Sequence, residues 1–182
     1  RPWEREWLSR FHAVKFGSRL WVCPTGEEVT EPGAVVMHLD PGLAFGTGSH
    51  ATTQLCLEWL GSNNMQGKKV IDYGSGSGIL GIAALLLGAD EVLAVDNDPQ
   101  ALRATRDNAI RNNVSERLRT SEPGNFEALQ ADVVIANILA QPLIDLSDHL
   151  ISLLKVDGDL LLSGIMESQQ HWVESAYEKK AS

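Results

Sequence analysis

The sequence predicts an α/β fold in which a central, mostly parallel sheet carries helices on both faces. Three observations support this. Short apolar runs at residues 69–73, 91–95, 132–136 and 160–163 alternate with stretches of helical character, a pattern that builds a parallel sheet covered on both sides. The first of these runs leads into a glycine-rich turn, Gly74-Ser-Gly-Ser-Gly78, and then at once into an apolar helix. The chain has 182 residues, 43% hydrophobic and 21% charged, the composition of an ordinary globular domain. A domain of that size buries roughly two-thirds of its unfolded surface.

The elements follow in order. Residues 1–33 read as a linker or edge segment holding Trp3, Trp7 and Trp21, with a candidate strand at 19–23. The principal domain is expected over residues 34–182. It opens with a weakly alternating strand at 34–39 and a Gly-rich loop, Asp40-Pro-Gly-Leu-Ala-Phe-Gly-Thr-Gly-Ser-His50. Ser49 is a candidate cap for a helix reaching Leu60. Residues 79–87 are apolar all round, which marks a buried helix, and Gly88 suits its end. Asp98 followed by Pro99 is a cap with proline at the first helical position, opening a helix to about Asn112. A weak strand is expected at 117–120. Leu143, Leu146 and Leu150 share one face of a helix over 142–154. Asp157-Gly158 reads as a turn before the last strand, and 168–179 as a polar helix.

Composition also excludes classes of function. The longest apolar stretch, residues 79–89, is far short of the roughly 20 residues of a membrane span, and no secretory signal opens the chain. The first residue is Arg1, so the chain is expected to be part of a longer protein. Formal charge is −9, which disfavours non-specific nucleic-acid binding, an interaction that rests on cationic side chains. Cys23 and Cys56 are far apart and the five histidines are scattered. No metal is therefore expected, and free thiols fit a reducing cytoplasm.

Ligands of parallel α/β sheets bind beyond the carboxyl ends of the strands, where strand order reverses. That directs attention to the loops after Tyr73, Val95 and Ala136. Gly76, Gly78 and Gly81 match the dinucleotide spacing G-x-G-x-x-G, and Asp96 lies about 20 residues further on, where a ribose-binding acid belongs. The same residues have a second framing, Asp72-x-Gly74-x-Gly76-x-Gly78. A pyrophosphate brings negative charge to the helix N-terminus, and Asp72 at the end of the strand would repel it. S-adenosylmethionine brings a sulfonium and an ammonium, which Asp72 would attract. Asp96 accepts ribose hydroxyls of either cofactor and does not discriminate. Asp98 reads as the helix cap. Asn137, ending the strand before Ile138-Leu-Ala140, offers an acceptor to a substrate N–H.

Taken together, these motifs resemble class I S-adenosylmethionine-dependent methyltransferases. More closely, four segments resemble the PrmA family, methyltransferases of a bacterial large-subunit ribosomal protein. They are Asp40 to Thr53, Asp72-Tyr-Gly-Ser-Gly-Ser-Gly-Ile-Leu80, Asp96-Asn-Asp-Pro99 and Ala136-Asn-Ile-Leu-Ala-Gln-Pro-Leu143. Pro2-Trp-Glu-Arg-Glu-Trp7 and Phe16-Gly-Ser-Arg-Leu-Trp21 resemble the family's linker. The resemblance implies a Rossmann-like fold, cytoplasmic location and methylation of lysine side chains and the N-terminal amine of the ribosomal protein. It places Thr53, Gly74, Asp96 and Asn137 at the cofactor. It places Phe45, Gly46, Thr47 and His50 in a loop closing over it. Asn137 and the carbonyls of Ile138, Leu139 and Ala140 would orient the amine, in the manner of the Asn-Pro-Pro-Tyr motif of other amino-methylating enzymes. The resemblance implies that the family's N-terminal substrate-recognition domain and its terminal strand pair are expected to lie outside this sequence. The alternatives are a methyltransferase of nucleic-acid or small-molecule amines, a NAD-binding oxidoreductase domain, and a non-catalytic cofactor-binding module.

Overall fold

The computed structural model describes residues 12–39, 50–125 and 130–181. The expectations for Trp3, Trp7, Phe45, Gly46, Thr47 and Ser49 lie outside them. Strand β4 (Lys69–Tyr73) is central in a parallel sheet. β5 (Glu91–Val95) and β6 (Leu118–Ser121) lie on one side of it, β7 (Ala131–Asn137) and β8 (Leu154–Ser163) on the other. The chain builds outward from β4 to β6 and then returns to the opposite side of β4. Strand order therefore reverses between β4 and β7, which fixes where a ligand crevice opens.

The pleat sorts the side chains into two cores. Val70, Val92, Val133 and Ile135 point to one face, under α1 (His50–Ser62) and α2 (Ile79–Leu86). Ile71, Leu93, Val95, Val134 and Ala136 point to the other, under α4 (Ala140–Asp145), α5 (Ser147–Ser152) and α6 (Gln170–Ala181). α2 is buried from Ile79 to Leu85. The sheet covers one side of it, and α1, the helix at Pro99–Arg111 and a small second sheet cover the rest. That sheet comprises β1 (Val14–Phe16), β2 (Leu20–Pro24) and β3 (Val35–Leu39), with β1 antiparallel and β3 parallel to β2. Residue 33 thus falls between two paired strands. The remaining helix, α3 (Pro99–Arg111), is capped by Asp98, whose side chain accepts the Gln100 N–H.

Three elements differ from expectation. β1 is an added strand. The weak strand expected at 117–120 is present as β6, one residue later and preceded by a 3-10 turn, Ser115–Arg117. The helix expected over 142–154 is broken at Leu146 into α4 and α5; Leu143 and Leu150 remain fully buried across the break, so their apolar spacing hides it. β8 starts at Leu154, ahead of the expected turn. Its register slips between the pairs Ala131↔Leu154 and Val133↔Asp159, and Asp157 takes a left-handed conformation, φ 66°, inside this bulge. Among the described residues no helix is long and apolar enough to cross a membrane.

The small sheet docks through bare backbone. A Cβ at Gly61 in α1 would stand 2.3 Å from the Phe16 carbonyl oxygen, and the Gly61 carbonyl accepts the Ser18 N–H at 3.2 Å. Alanine in place of a helical glycine ordinarily stabilises by about 1 kcal/mol. Here the sign reverses: Gly61→Ala is expected to destabilise by about 1–3 kcal/mol through overpacking, read as a lower midpoint in urea unfolding.

Candidate functional site

The turn from β4 into α2 is held from three directions. The Gly74 and Ser75 N–H groups both donate to the Val95 carbonyl, at 2.7 and 3.0 Å, and the Gly76 N–H donates to Asp96 Oδ2 at 2.9 Å. From α3, Thr105 Oγ1 donates to the Gly76 carbonyl and Asn108 Nδ2 to the Ser77 carbonyl, each at 2.9 Å. Gly78 is left-handed, φ 82°, and a Cβ there would meet Thr105 Cγ2 at 2.7 Å. Thr105 and Asn108 are fully buried. Neither was expected at the site. Their signal lies in their spacing with Leu102, which puts polar groups on the buried face of an otherwise solvated helix.

Asp96 sits at the carboxyl end of β5, half-buried, with Oδ1 accepting the Asp98 N–H and Oδ2 the Gly76 N–H, both at 2.9 Å. A carboxylate has about four acceptor positions, so a pinned Asp96 keeps lone pairs for hydroxyl donors. Asp72 lies deeper, beneath the glycine turn and on the α2 side of the sheet. It is 1% exposed, and Oδ2 accepts the Gly81 N–H in the first turn of α2 at 3.0 Å. Burial pushes its carboxyl up to about 7; the Gly81 bond opposes the rise and the Asp96 charge adds to it.

Beyond β7, Asn137 Nδ2 donates to Thr53 Oγ1 of α1 at 3.2 Å. The other amide atom, Asn137 Oδ1, is buried and has no hydrogen-bond partner among the described residues. An acceptor left in that state costs about 1–3 kcal/mol, so its retention is informative. Ile138 is wedged between two glycines. A Cβ at Gly74 would meet Ile138 Cγ2 at 2.4 Å, and one at Gly164 would meet the Ile138 carbonyl oxygen at 2.5 Å. The Ile138 N–H donates to the Ser163 carbonyl at 3.1 Å, and Leu139 O accepts the Leu143 N–H at 3.1 Å. The Leu139 carbonyl thus already serves α4, and the Asn137 amide holds the open acceptor. Ala140 is buried at the start of α4, whereas Leu139 is 72% exposed.

These parts enclose a cleft of about 520 Å³ at the switch point, lined by Tyr73, Gly74, Val95, Asp96, Asn97, Pro123, Ile138 and Leu139, with Pro142 and Leu146 behind. Of the expected site residues, Gly74, Asp96, Ile138 and Leu139 line it. Gly76 and Gly78 belong to the adjoining turn and do not line it, Thr53 and Asn137 are bonded to each other, and Asp72 is buried beneath the turn. Phe45 and Thr47 lie outside the described residues. Among the described residues, no three His, Cys, Asp or Glu side chains gather as metal ligands would.

The profile of the family described as "Ribosomal protein L11 methyltransferase (PrmA)" matches residues 1–182. The chain belongs to that family. It is 57% identical over 177 residues to the ribosomal protein L11 methyltransferase of Hahella chejuensis, covering 97% of this chain and 61% of the relative. It is 56% identical over 178 residues to that of Methylococcus capsulatus, with 98% and 61% covered. This chain therefore spans about 61% of the length of these curated relatives. The crystal structure of a ribosomal protein L11 methylase from Lactobacillus delbrueckii subsp. bulgaricus superposes with a TM-score of 0.81 at 32% identity, over 93% of this chain and 87% of that one. The expected Rossmann-like sheet is the fold of the PrmA family member described here.

The depth of Asp72 has a consequence for stability. Its folded pKa lies well above the ordinary value of an aspartate, so the protonated form is favoured by folding. The associated stability is complete below about pH 4 and is lost as pH rises through about 7. Asp72→Asn keeps an acceptor for Gly81 and removes the charge. Relative to the parent, it is expected to gain thermal stability at pH 8 and none at pH 4, as a pH series of melting curves would read.

Proposed function

We propose that the chain is the catalytic domain of a bacterial, cytoplasmic S-adenosylmethionine-dependent methyltransferase that methylates amino groups of a ribosomal large-subunit protein. The observation that carries this reading is the buried Asn137 Oδ1, without a partner among the described residues, beside a glycine turn with an acid at the end of the next strand. The methylated amines are the lysine side chains and the N-terminal α-amine. The sheet and cleft are common to many chemistries. An acceptor held open at their edge asks for an incoming N–H.

The residues fit the cofactor. Asp96 has lone pairs for ribose hydroxyls. The glycines bring backbone close to whatever lies over the turn. Asp72, in its ionised form, places negative charge below the turn; a cationic ligand favours that form and a pyrophosphate opposes it, so the dinucleotide reading has less support. When bound, S-adenosylmethionine supplies an already activated methyl group, so neither metal nor covalent nucleophile is called for. The protein's part is alignment, which is worth up to about 7–11 kcal/mol in well-oriented systems. Thr53 fixes the Asn137 amide by accepting from Nδ2, and this leaves Oδ1 to accept a hydrogen of the attacking amine. The amine must be neutral, whereas a free lysine has a pKa of about 10.4. Burial in the cleft and an adjacent positive charge both disfavour the ammonium form, which lightens the demand for a strong base.

Two measurements on the full-length protein test this. Calorimetric titration is expected to show binding of S-adenosylhomocysteine and not of NADH, weakened about 10- to 100-fold in Asp96→Ala by loss of charge-assisted bonds. Binding of NADH alone would overturn the reading. In Asn137→Ala, kcat for transfer of labelled methyl to the ribosomal protein is expected to fall by roughly 10²-fold or more. Its affinity for S-adenosylhomocysteine should stay within a few-fold of the parent. Unchanged turnover in that variant would remove Asn137 from the mechanism.

A further inference from the structure

One face of α3 carries buried polar groups at successive turns, and each is bonded to the backbone of another segment. Thr105 and Asn108 hold the glycine turn, as described. Asn112, at the end of α3 and 7% exposed, holds β3. Its Oδ1 accepts the His38 N–H at 2.7 Å, and its Nδ2 donates to the His38 carbonyl at 2.9 Å and back to the Asn108 carbonyl at 2.9 Å. The paired bonds to His38 reproduce what a neighbouring strand residue would offer, on the edge of β3 that β2 does not cover. β3 is therefore tied to the same helix that positions the cofactor turn.

We infer that Asn112 is a positioning residue for the cofactor site, setting β3 against the glycine turn through α3. The inference rests on the reading of that turn as the cofactor site. β3 and α1 are consecutive described elements, and each is anchored separately. The α1 end is fixed by Thr53 to Asn137 and by Ser163 Oγ donating to the Thr52 carbonyl at 3.2 Å. The β3 end is fixed by pairing with β2, by the Thr25 N–H donating to the Leu39 carbonyl at 3.0 Å, and by Asn112. Of these, the Asn112 clamp alone also reaches the helix that carries Thr105 and Asn108. A hydrophobic contact in its place would hold β3 near α3 without fixing its height along the strand direction. Two opposed hydrogen bonds to one residue fix that height.

The test is Asn112→Ala in the full-length protein, with S-adenosylhomocysteine affinity, KM for S-adenosylmethionine and kcat measured together. Loss of the two bonds to His38 is expected to weaken S-adenosylhomocysteine binding and raise KM about 10-fold, with kcat at saturation within about 3-fold of the parent. A purely structural role would lower the active fraction and so kcat, leaving KM unchanged, and that result would overturn the inference. A measurement on the unaltered protein stands even if the variant does not fold. Amide hydrogen exchange is expected to slow at His38 as well as at Gly76 and Gly81 when S-adenosylhomocysteine is added. Protection confined to the glycine turn overturns the coupling. Absence of S-adenosylhomocysteine binding by the parent protein overturns instead the cofactor reading on which the inference stands.

Discussion

A chain that turns sharply from a buried strand into a buried helix must satisfy its own backbone polar groups and still leave one side of the turn open. Most of the architecture near the crevice answers that requirement. The Gly74 and Ser75 amides go to the end of β5, the Gly76 amide goes to Asp96, and the Gly76 and Ser77 carbonyls go to α3. A buried, unpaired backbone group would cost about as much as a lost hydrogen bond. The neighbours of the turn are therefore specified by its donors and acceptors as much as by apolar packing. β5 must end at Asp96, and α3 must present polar side chains inward. α2 must start where Asp72 meets Gly81.

This division of labour explains what was legible in the sequence. β4 and β5 were readable to the residue because each is a short apolar run bounded by polar or glycine positions, and burial on both faces leaves little else for such runs to do. The α3 start was readable because Asp98-Pro99 states a cap and a first-turn residue in two letters. Thr105, Asn108 and Asn112 were not readable as site-building residues. In a polar helix, three more polar side chains look like solvated surface, and only the fold shows that they face backbone. β8 was foreshortened because its first half, Lys155 to Asp159, is polar and bulged. The bulge is accommodated beside Asp132, whose carboxylate accepts the Lys69 N–H at 2.8 Å and lies 3.4 Å from the Lys155 ammonium.

The candidate site was legible to different depths. Asp96 and Gly74 stand where strand order and motif spacing put them. Motif spacing puts the Asp72 charge at the end of the strand before the turn, and the carboxyl lies buried one layer below that turn. Its influence there is exerted through a low-dielectric medium and not by direct contact, which also gives it a titration coupled to folding. Asn137 was read as an acceptor. Its partner Thr53 lies far away in sequence, and the residues between them give no local sign of the pairing. The bond matters because it commits the donor half of the amide and leaves the acceptor half without a partner among the described residues.

The wedge of Ile138 between Gly74 and Gly164 bears on how this domain can vary. The three positions come from the ends of three different strands. A carbon added at Gly74 must be matched by one removed from the isoleucine side chain, whereas one added at Gly164 meets the Ile138 backbone and has no side-chain remedy. Single substitutions at either glycine also meet the penalty of a left-handed backbone, φ 76° at Gly74 and 88° at Gly164. Neutral drift through one-step changes is therefore closed at these glycines. The evolutionary record of the family should hold Gly164 fixed and change Gly74 and Ile138, if at all, in concert.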